Sequence, residues 1–303
     1  MRHSIPGFRF VTPWLACLLG LVIGGTASAE ETHELRFKFE KGSSTHYAIR
    51  QQMAMEIEFN DVSEKASYSA NSIRHFRVLE VDAEGNATLE LMIDRCYMSA
   101  TQNGNTSVYD STKLGEEVPP EHVAVAALIG RPSVQLKVSP VGIVLSVTPL
   151  LGQAQEKIDL ADQKLDVLFA LPSEKLAIGQ SWTESFTTDV VVAGPGALKR
   201  KINMQRVYKL TKVDGKVATI GVRTLVLTPN IPSEEEAQLI QKRWQGDIQF
   251  DMAAGRMVAR VQNVDGQVAN FSDGKGLLTV KSTKLDVYAP EEKLASIDLK
   301  TVR

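Results

Sequence analysis

The chain has 303 residues, with 34 Lys and Arg against 36 Asp and Glu and a formal net charge of −2. That mild acidity argues against nucleic acid as the natural partner, which needs a basic surface. The two cysteines, Cys17 and Cys96, are too few for a disulfide framework.

Arg2 and Arg9 precede an apolar run from Trp14 to Gly24, and Ala27-Ser28-Ala29 gives the small-x-small pattern of a signal-peptidase site. Residues 1–29 therefore read as a signal peptide, with the mature chain starting at Glu30. Removing them takes away two basic residues and no acidic ones, leaving 32 against 36. Cys17 leaves as well, so Cys96 has no partner within the chain and stability must come from packing. Nothing downstream approaches the roughly 20 apolar residues of a spanning helix. The expectation is an exported protein, periplasmic or extracellular, with no transmembrane segment after cleavage.

From Tyr47 to Phe59 the residues alternate: Tyr47, Ile49, Met53, Met55, Ile57 and Phe59 share one parity, and Arg50, Gln52, Glu56 and Glu58 the other. This is a strand with one wet face. At about 3.4 Å per residue it runs roughly 40 Å, the length of a curved meander or an open barrel. Gln51 is the polar exception on the apolar parity. The segments Ser72 to Val81 and Ala87 to Met98 flank Asp82-Ala83-Glu84-Gly85-Asn86, which reads as a hairpin turn. A calcium loop is excluded there, because Ala87 stands where that motif needs glycine.

Val118-Pro119-Pro120-Glu121 opens a short helix to Ile129, with His122 expected at the surface. A strand at Gln135 to Ser139, a turn at Gly142 and a strand from Ile143 to Val147 follow. Ala154 to Phe169 has apolar residues at helical spacing, and Pro172 ends it. The later half then repeats the earlier plan. It gives strands at Trp182 to Val192, Leu198 to Val213 and Val217 to Leu227, with a turn at Gly194-Pro195-Gly196 between the first two. A helix opened by Ile231-Pro232-Ser233-Glu234 precedes a strand at Asp247 to Asp251, a turn at Gly255 and a strand from Arg256 to Val261. Ser233 and Glu236 stand at capping-box spacing. Val264-Asp265-Gly266-Gln267 reads as a further turn, and residues after Pro290 as a frayed tail with Leu294 and Ile297 as its docking points.

The expected fold is mainly β, a β-rich α+β arrangement of long curved antiparallel meander sheets or half-barrels with a few short helices, internally duplicated. Its divisions are a signal peptide (1–29), a first β-rich half (30–150), a connecting helix (151–175), a second β-rich half (176–290) and a C-terminal tail (291–303).

Motifs for chemistry are missing at the level of sequence. No Gly-x-Ser-x-Gly or phosphate-binding glycine loop occurs, and Ser181 reads as a strand start. His33, His46, His75 and His122 show no zinc spacing. Cys96 reads as packed among Met92 and Met98. No catalytic residue, metal ligand or cofactor is expected, and the protein reads as no enzyme. Two roles remain: an envelope interaction or structural module with a protein partner, or the binding or carriage of an apolar ligand such as lipid. For the second, the ligand-binding residues are Tyr47, Ile49, Met53, Met55, Ile57 and Phe59, with methionine supplying an adaptable surface.

Through Leu171-Pro172 and Gly179-Gln180-Ser181-Trp182, with Gly85 and Gly142, the chain resembles a family of secreted bacterial proteins of unknown function. The resemblance implies export and a duplicated all-β body, and carries over no catalytic residue. In architecture, long strands over a short helix also resemble the half-barrel lipoprotein carriers of the bacterial periplasm.

Overall fold

The computed structural model describes residues 31–60, 62–113, 115–151, 168–192, 198–271 and 275–301. The expected signal peptide, most of the expected connecting helix and the Gly194-Pro195-Gly196 turn lie outside them. In chain order the strands are β1 (Thr32–His33), β2 (Ser44–Phe59), β3 (Val62–Val81), β4 (Ala87–Gln102), β5 (Asn105–Asp110), β6 (Pro132–Val138), β7 (Val144–Pro149), β8 (Leu176–Ala177), β9 (Ser181–Val191), β10 (Lys199–Asp214), β11 (Val217–Val226), β12 (Gln245–Asp251), β13 (Arg256–Asn270) and β14 (Gly276–Ala289). A 3-10 turn at Pro120–His122 leads into α1 (Val123–Ala126), and α2 (Ser233–Leu239) runs into a second such turn at Ile240–Lys242.

The fold is mainly β, as expected. One antiparallel sheet carries the order β7-β6-β4-β3-β2-β14-β13-β12-β11-β10-β9, with β5 also paired to β4. Residues from strands far apart in that order meet in one cluster: Leu136 of β6, Tyr47 of β2, Phe250 of β12 and Leu210 of β10. Side chains bridge such distances only if the sheet curls, so it is an open half-barrel whose inner face holds the core. The outermost strands β7 and β9 do not pair with each other. Between them lies Leu168 to Leu171, where Leu171 donates to the Val141 carbonyl and the Trp182 indole to the Ala170 carbonyl, each at a hydrogen-bonding distance. Leu168 and Phe169, the last two residues of the expected connecting helix, are irregular chain buried in that core.

Both halves follow one plan. In the first, β2-β3-β4 form a meander, a helical turn follows, and β6-β7 make a hairpin whose first strand adds to β4. In the second, β9-β10-β11, α2 and β12-β13 repeat the order, with β12 adding to β11. Even the short flanking strands correspond, since β1 ahead of one half pairs with β8 ahead of the other. The hairpin glycines Gly142 and Gly255 sit at φ of +76° and +62°, where a side chain is strained. Each also lies against the leading segment of the opposite half, Gly142 beneath Phe169 and Gly255 beneath Lys38.

Several local expectations are corrected. The first helix, a 3-10 turn leading into α1, ends at Ala126 and stops short of the expected Ile129, and His122 is 1% exposed, stacked on Tyr109, rather than at the surface. Gly266 is no turn: β13 runs straight through it, and its missing Cβ leaves room for Ile240, which a methyl group would meet at 3.0 Å. Ser233 does not cap α2. Pro232 holds that position, and the Ser233 hydroxyl instead donates to the Asn270 carbonyl at 2.8 Å, tying the helix to β13. The tail is docked rather than frayed: Leu294 and Ile297 are half-buried contact points, as expected, Leu299 is buried as well, and a 3-10 turn spans Glu291–Ser296. Arg95 donates to the Leu294 and Ile297 carbonyls and Asn71 to that of Leu299, which covers the outer face of β3 and β4.

Candidate functional site

Register sorts the side chains of the curled sheet into faces. Tyr47, Ile49, Met53, Met55, Ile57 and Phe59 all point inward on β2, as their alternation requires, but they do not line one cavity. Tyr47 and Ile49 belong to the main core, which extends through Phe76, Leu89, Leu136 and Phe250. Met53, Met55 and Ile57 pack with a second cluster of Val264, Val268, Leu278 and Val280, covered by Ala237 and Ile240 of the α2 region. Phe59, at the far end, is 36% exposed.

A polar belt separates these compartments. Cross-strand partners place Gln262 of β13, Lys284 of β14 and Gln51 of β2 in one row on the inner face. One step below, Arg260 and Asp286 are each 1% exposed and joined by Nε at 2.7 Å and Nη2 at 2.6 Å to the same carboxylate oxygen. Lys284 Nζ lies 3.9 Å from the other oxygen. Tyr47, buried beside them, donates its hydroxyl to the Met257 carbonyl, and burial pushes its pKa far above the ordinary phenol value. The belt continues on β9 to β11. There Arg206, 4% exposed, stacks under Phe186 and faces Glu184, which also accepts from the Tyr208 hydroxyl at 2.8 Å. A buried charge is tolerated only when paired, and these arrays meet that requirement. In the sequence, Gln51 was the one visible sign of the belt.

Below the belt the interior is nearly filled. The cavity bounded by Tyr47, Ile49, Arg74, Phe76, Leu91 and Asp286 holds about 50 Å³. That is room for a few waters, against the several hundred Å³ of an ordinary ligand pocket. Above the belt, two helical covers sit on the same face. The α2 region lies over β13, β14 and β2, while Val125 and Ile129 of the α1 region pack with Ala70, Cys96 and Met98 on β3 and β4. Their seam follows the β2–β3 pairing, where Met53 stands opposite Tyr68 and Met55 opposite Ala66. Met53, Met55, Ile57 and Tyr68 stay half-buried along it.

Cys96 packs with Met98, as expected, but not with Met92. A β-bulge shifts the parity: Arg74 faces Ile93 and Ile73 faces Arg95, leaving Asp94 without a cross-strand partner. Burial raises the Cys96 thiol to about 11, which keeps it protonated and inert. The same bulge places Asp94 beside His75, whose Nδ1 it meets at 2.8 Å, and His75 stands opposite His46 with ring centroids 4.7 Å apart. Spacing along the chain could not unite residues 46, 75 and 94; sheet register does. On the outer face above the belt, Gln52, Ser67, Ser69, Ser99, Asn263, Lys281 and Thr283 line an open groove of about 620 Å³.

No protein-family model matches the chain, and no curated protein matches its sequence. Among solved structures, the chain is similar to lipovitellin, in a structure concerned with lipid–protein interactions, at a TM-score of 0.49 and 11% identity over 83% of this chain. It spans 25% of the lipovitellin chain. A second similarity is to DynF from the dynemicin biosynthesis pathway of Micromonospora chersina, with a TM-score of 0.20 and 8% identity over 88% of this chain and 90% of that one. A third is to a β-barrel-like protein of a domain of unknown function, DUF1849, from Brucella abortus, with a TM-score of 0.19 and 10% identity over 82% of this chain and 100% of that one. None of these likenesses is close enough to carry a site, a ligand or a partner from one chain to the other.

Proposed function

We propose that the protein is an exported, non-enzymatic carrier that binds an apolar ligand of the lipid class on the inner face above the polar belt. The observation that supports this is the half-buried line of Met53, Met55, Ile57 and Tyr68 between two separate helical covers. Thioether side chains adapt to irregular apolar shapes, and the belt residues Gln51, Gln262 and Lys284 supply polar groups for the ligand's other end. A chain entering the seam displaces the contacts of the α2 region, while the nearly filled interior below the belt stays as it is. Native mass spectrometry with lipid extraction tests the reading. A co-purifying apolar molecule, lost in Met55→Asp protein of unchanged secondary structure, is expected. A chain that carries none and fails to enhance the fluorescence of an apolar naphthylamine probe overturns it.

A second reading rests on β9. This strand of 11 residues forms one margin of the sheet, with no strand on its outer side among the described residues. An unpaired margin is a template for strand addition by a protein partner. Gln238 already imitates such pairing at one end, accepting from the Val191 N–H at 2.8 Å and donating to its carbonyl at 2.9 Å. Crosslinking from position 185 in the native envelope supports this reading if one protein is captured reproducibly and Thr187→Pro abolishes the capture. Capture that survives the proline excludes the margin as the docking element.

A further inference from the structure

We propose that His46, His75 and Asp94 form a binding site for a divalent transition metal ion of the zinc class, on the outer face of the sheet. The site is independent of the apolar seam, which lies on the opposite face. One ligand atom from each of the three side chains falls within 4.8 Å of the other two. Ligand atoms about 2.1 Å from a tetrahedral zinc stand roughly 3.4 Å apart, so closure needs only side-chain movements of about an ångström. Two imidazoles and a carboxylate are a donor set that zinc accepts.

Three further observations point the same way. Asp94 Oδ2 is buried and has no hydrogen-bond partner, although Oδ1 is bound to His75. A buried carboxylate oxygen left unsatisfied is costly, and a bound cation removes the cost. Nearby cations are already engaged: Arg77 is bound to Glu90 at 2.7 Å, and Arg95 to the carbonyls of the tail. Glu291, which opens the tail's 3-10 turn and acts electrostatically on His46, adds negative charge on the same side.

The bulge explains why the group exists. Without the extra residue, β4 would continue in register past Met92, the partner of His75, and position 94 would face its own cross-strand neighbour. Bulges re-aim side chains in this way beside functional sites.

The test uses the full chain, stripped with a chelator and titrated with zinc chloride, with cobalt chloride as the spectroscopic probe. One equivalent is expected, with visible absorption bands of a nitrogen- and oxygen-ligated cobalt centre. His46→Gln, His75→Gln and Asp94→Asn should each weaken binding by about tenfold or more, whereas His33→Gln should leave it unchanged. Imidazole resonances of the unmodified chain supply a readout that needs no variant to fold: zinc must shift those of His46 and His75 and spare those of His33 and His122. Absence of stoichiometric binding, equal binding in all variants, or zinc shifts confined to His33 would each overturn the assignment.

Discussion

The Arg260–Asp286 pair makes the sharpest test of the polar belt. Both side chains are 1% exposed, and one carboxylate oxygen accepts two hydrogen bonds from the guanidinium at 2.7 and 2.6 Å. Replacing Asp286 by asparagine removes the negative charge and keeps the volume, which leaves the Arg260 and Lys284 cations close together in the interior. Breaking a buried pair by removing one partner costs about 3–5 kcal/mol. For a domain of this size, that corresponds to a fall in Tm of about 6–20 °C. The double replacement Arg260→Met with Asp286→Leu removes both charges and fills the space with apolar groups, so it should recover most of the loss. Urea and thermal unfolding of the mature chain measure both variants. A loss below about 1 kcal/mol in Asp286→Asn would refute the description of these groups as a desolvated, mutually dependent pair.

The remaining expectations concern the turns, the helix start and pH. Gly142→Ala should cost at least about 2 kcal/mol in urea unfolding, since a left-handed φ is combined with a collision against the Phe169 carbonyl. Gly42→Ala has the same strain in open space and should cost only about 1 kcal/mol. Ser233→Ala should lose about 0.5–1.5 kcal/mol through its bond to Asn270, whereas Glu236→Ala, half-buried and paired with Arg243, should change stability by less than about 0.5 kcal/mol; equal losses would restore a capping box. His46 prefers its neutral form in the folded chain, so the unfolded chain takes up a proton first as pH falls below the ordinary 6.5. Stability should therefore drop through that window and level off once the folded form is protonated too, and His46→Gln should flatten this part of a Tm–pH curve. Asp82 behaves oppositely. Hydrogen bonds from Lys137 and Asn86 hold its pKa at about 2 against an ordinary 3.8, so its contribution is full above 3.8 and lost as pH falls through about 2, and Asp82→Asn should remove that acid-side slope.

Local signals made most of the architecture legible. The alternation from Tyr47 to Phe59 predicts an inward-facing strand, and every one of those six residues faces inward. Gly85 predicts a reversal between β3 and β4 and has the positive φ that a turn uses. Asp265-Gly266 also carries a turn dipeptide and fails, because the glycine there answers to the bulk of Ile240 in a 3-10 turn more than twenty residues away. His122 was misplaced for the same reason: its burial depends on Tyr109 and Ser107 of β5, which nothing within its own segment announces. The His46–His75–Asp94 group was hidden more deeply. It needs the register of two strand pairs and one bulge, and none of the three residues has a telling neighbour in the sequence. The belt sits between these cases, since Gln51 was visible as a polar intruder while its row-mates lie more than two hundred residues away.

Duplication explains both the half-barrel and what fills it. A single half offers five strands of the main sheet and one apolar face, and in isolation it would expose that face and the margin of its first strand. Joining two halves through β14, which bridges β2 and β13, makes one sheet continuous from β7 to β9. The leading segment of each half then crosses to the other: Lys38 donates to the Gly255 carbonyl at 3.0 Å, and Leu171 to the Val141 carbonyl at 2.9 Å. Those crossings carry Leu35, Phe37, Phe169 and Leu171 into the core, where Phe37 meets Phe169 and Phe250 edge-on. The equivalent glycines at the two hairpins are thus places where one copy makes room for the other's backbone. The lower interior is nearly filled by this exchange of segments, and its cavity among the described residues, about 50 Å³, has room for a few waters. Above the belt, among the described residues, no leading segment crosses, and the inner face carries short helical covers on either side of a methionine-lined seam.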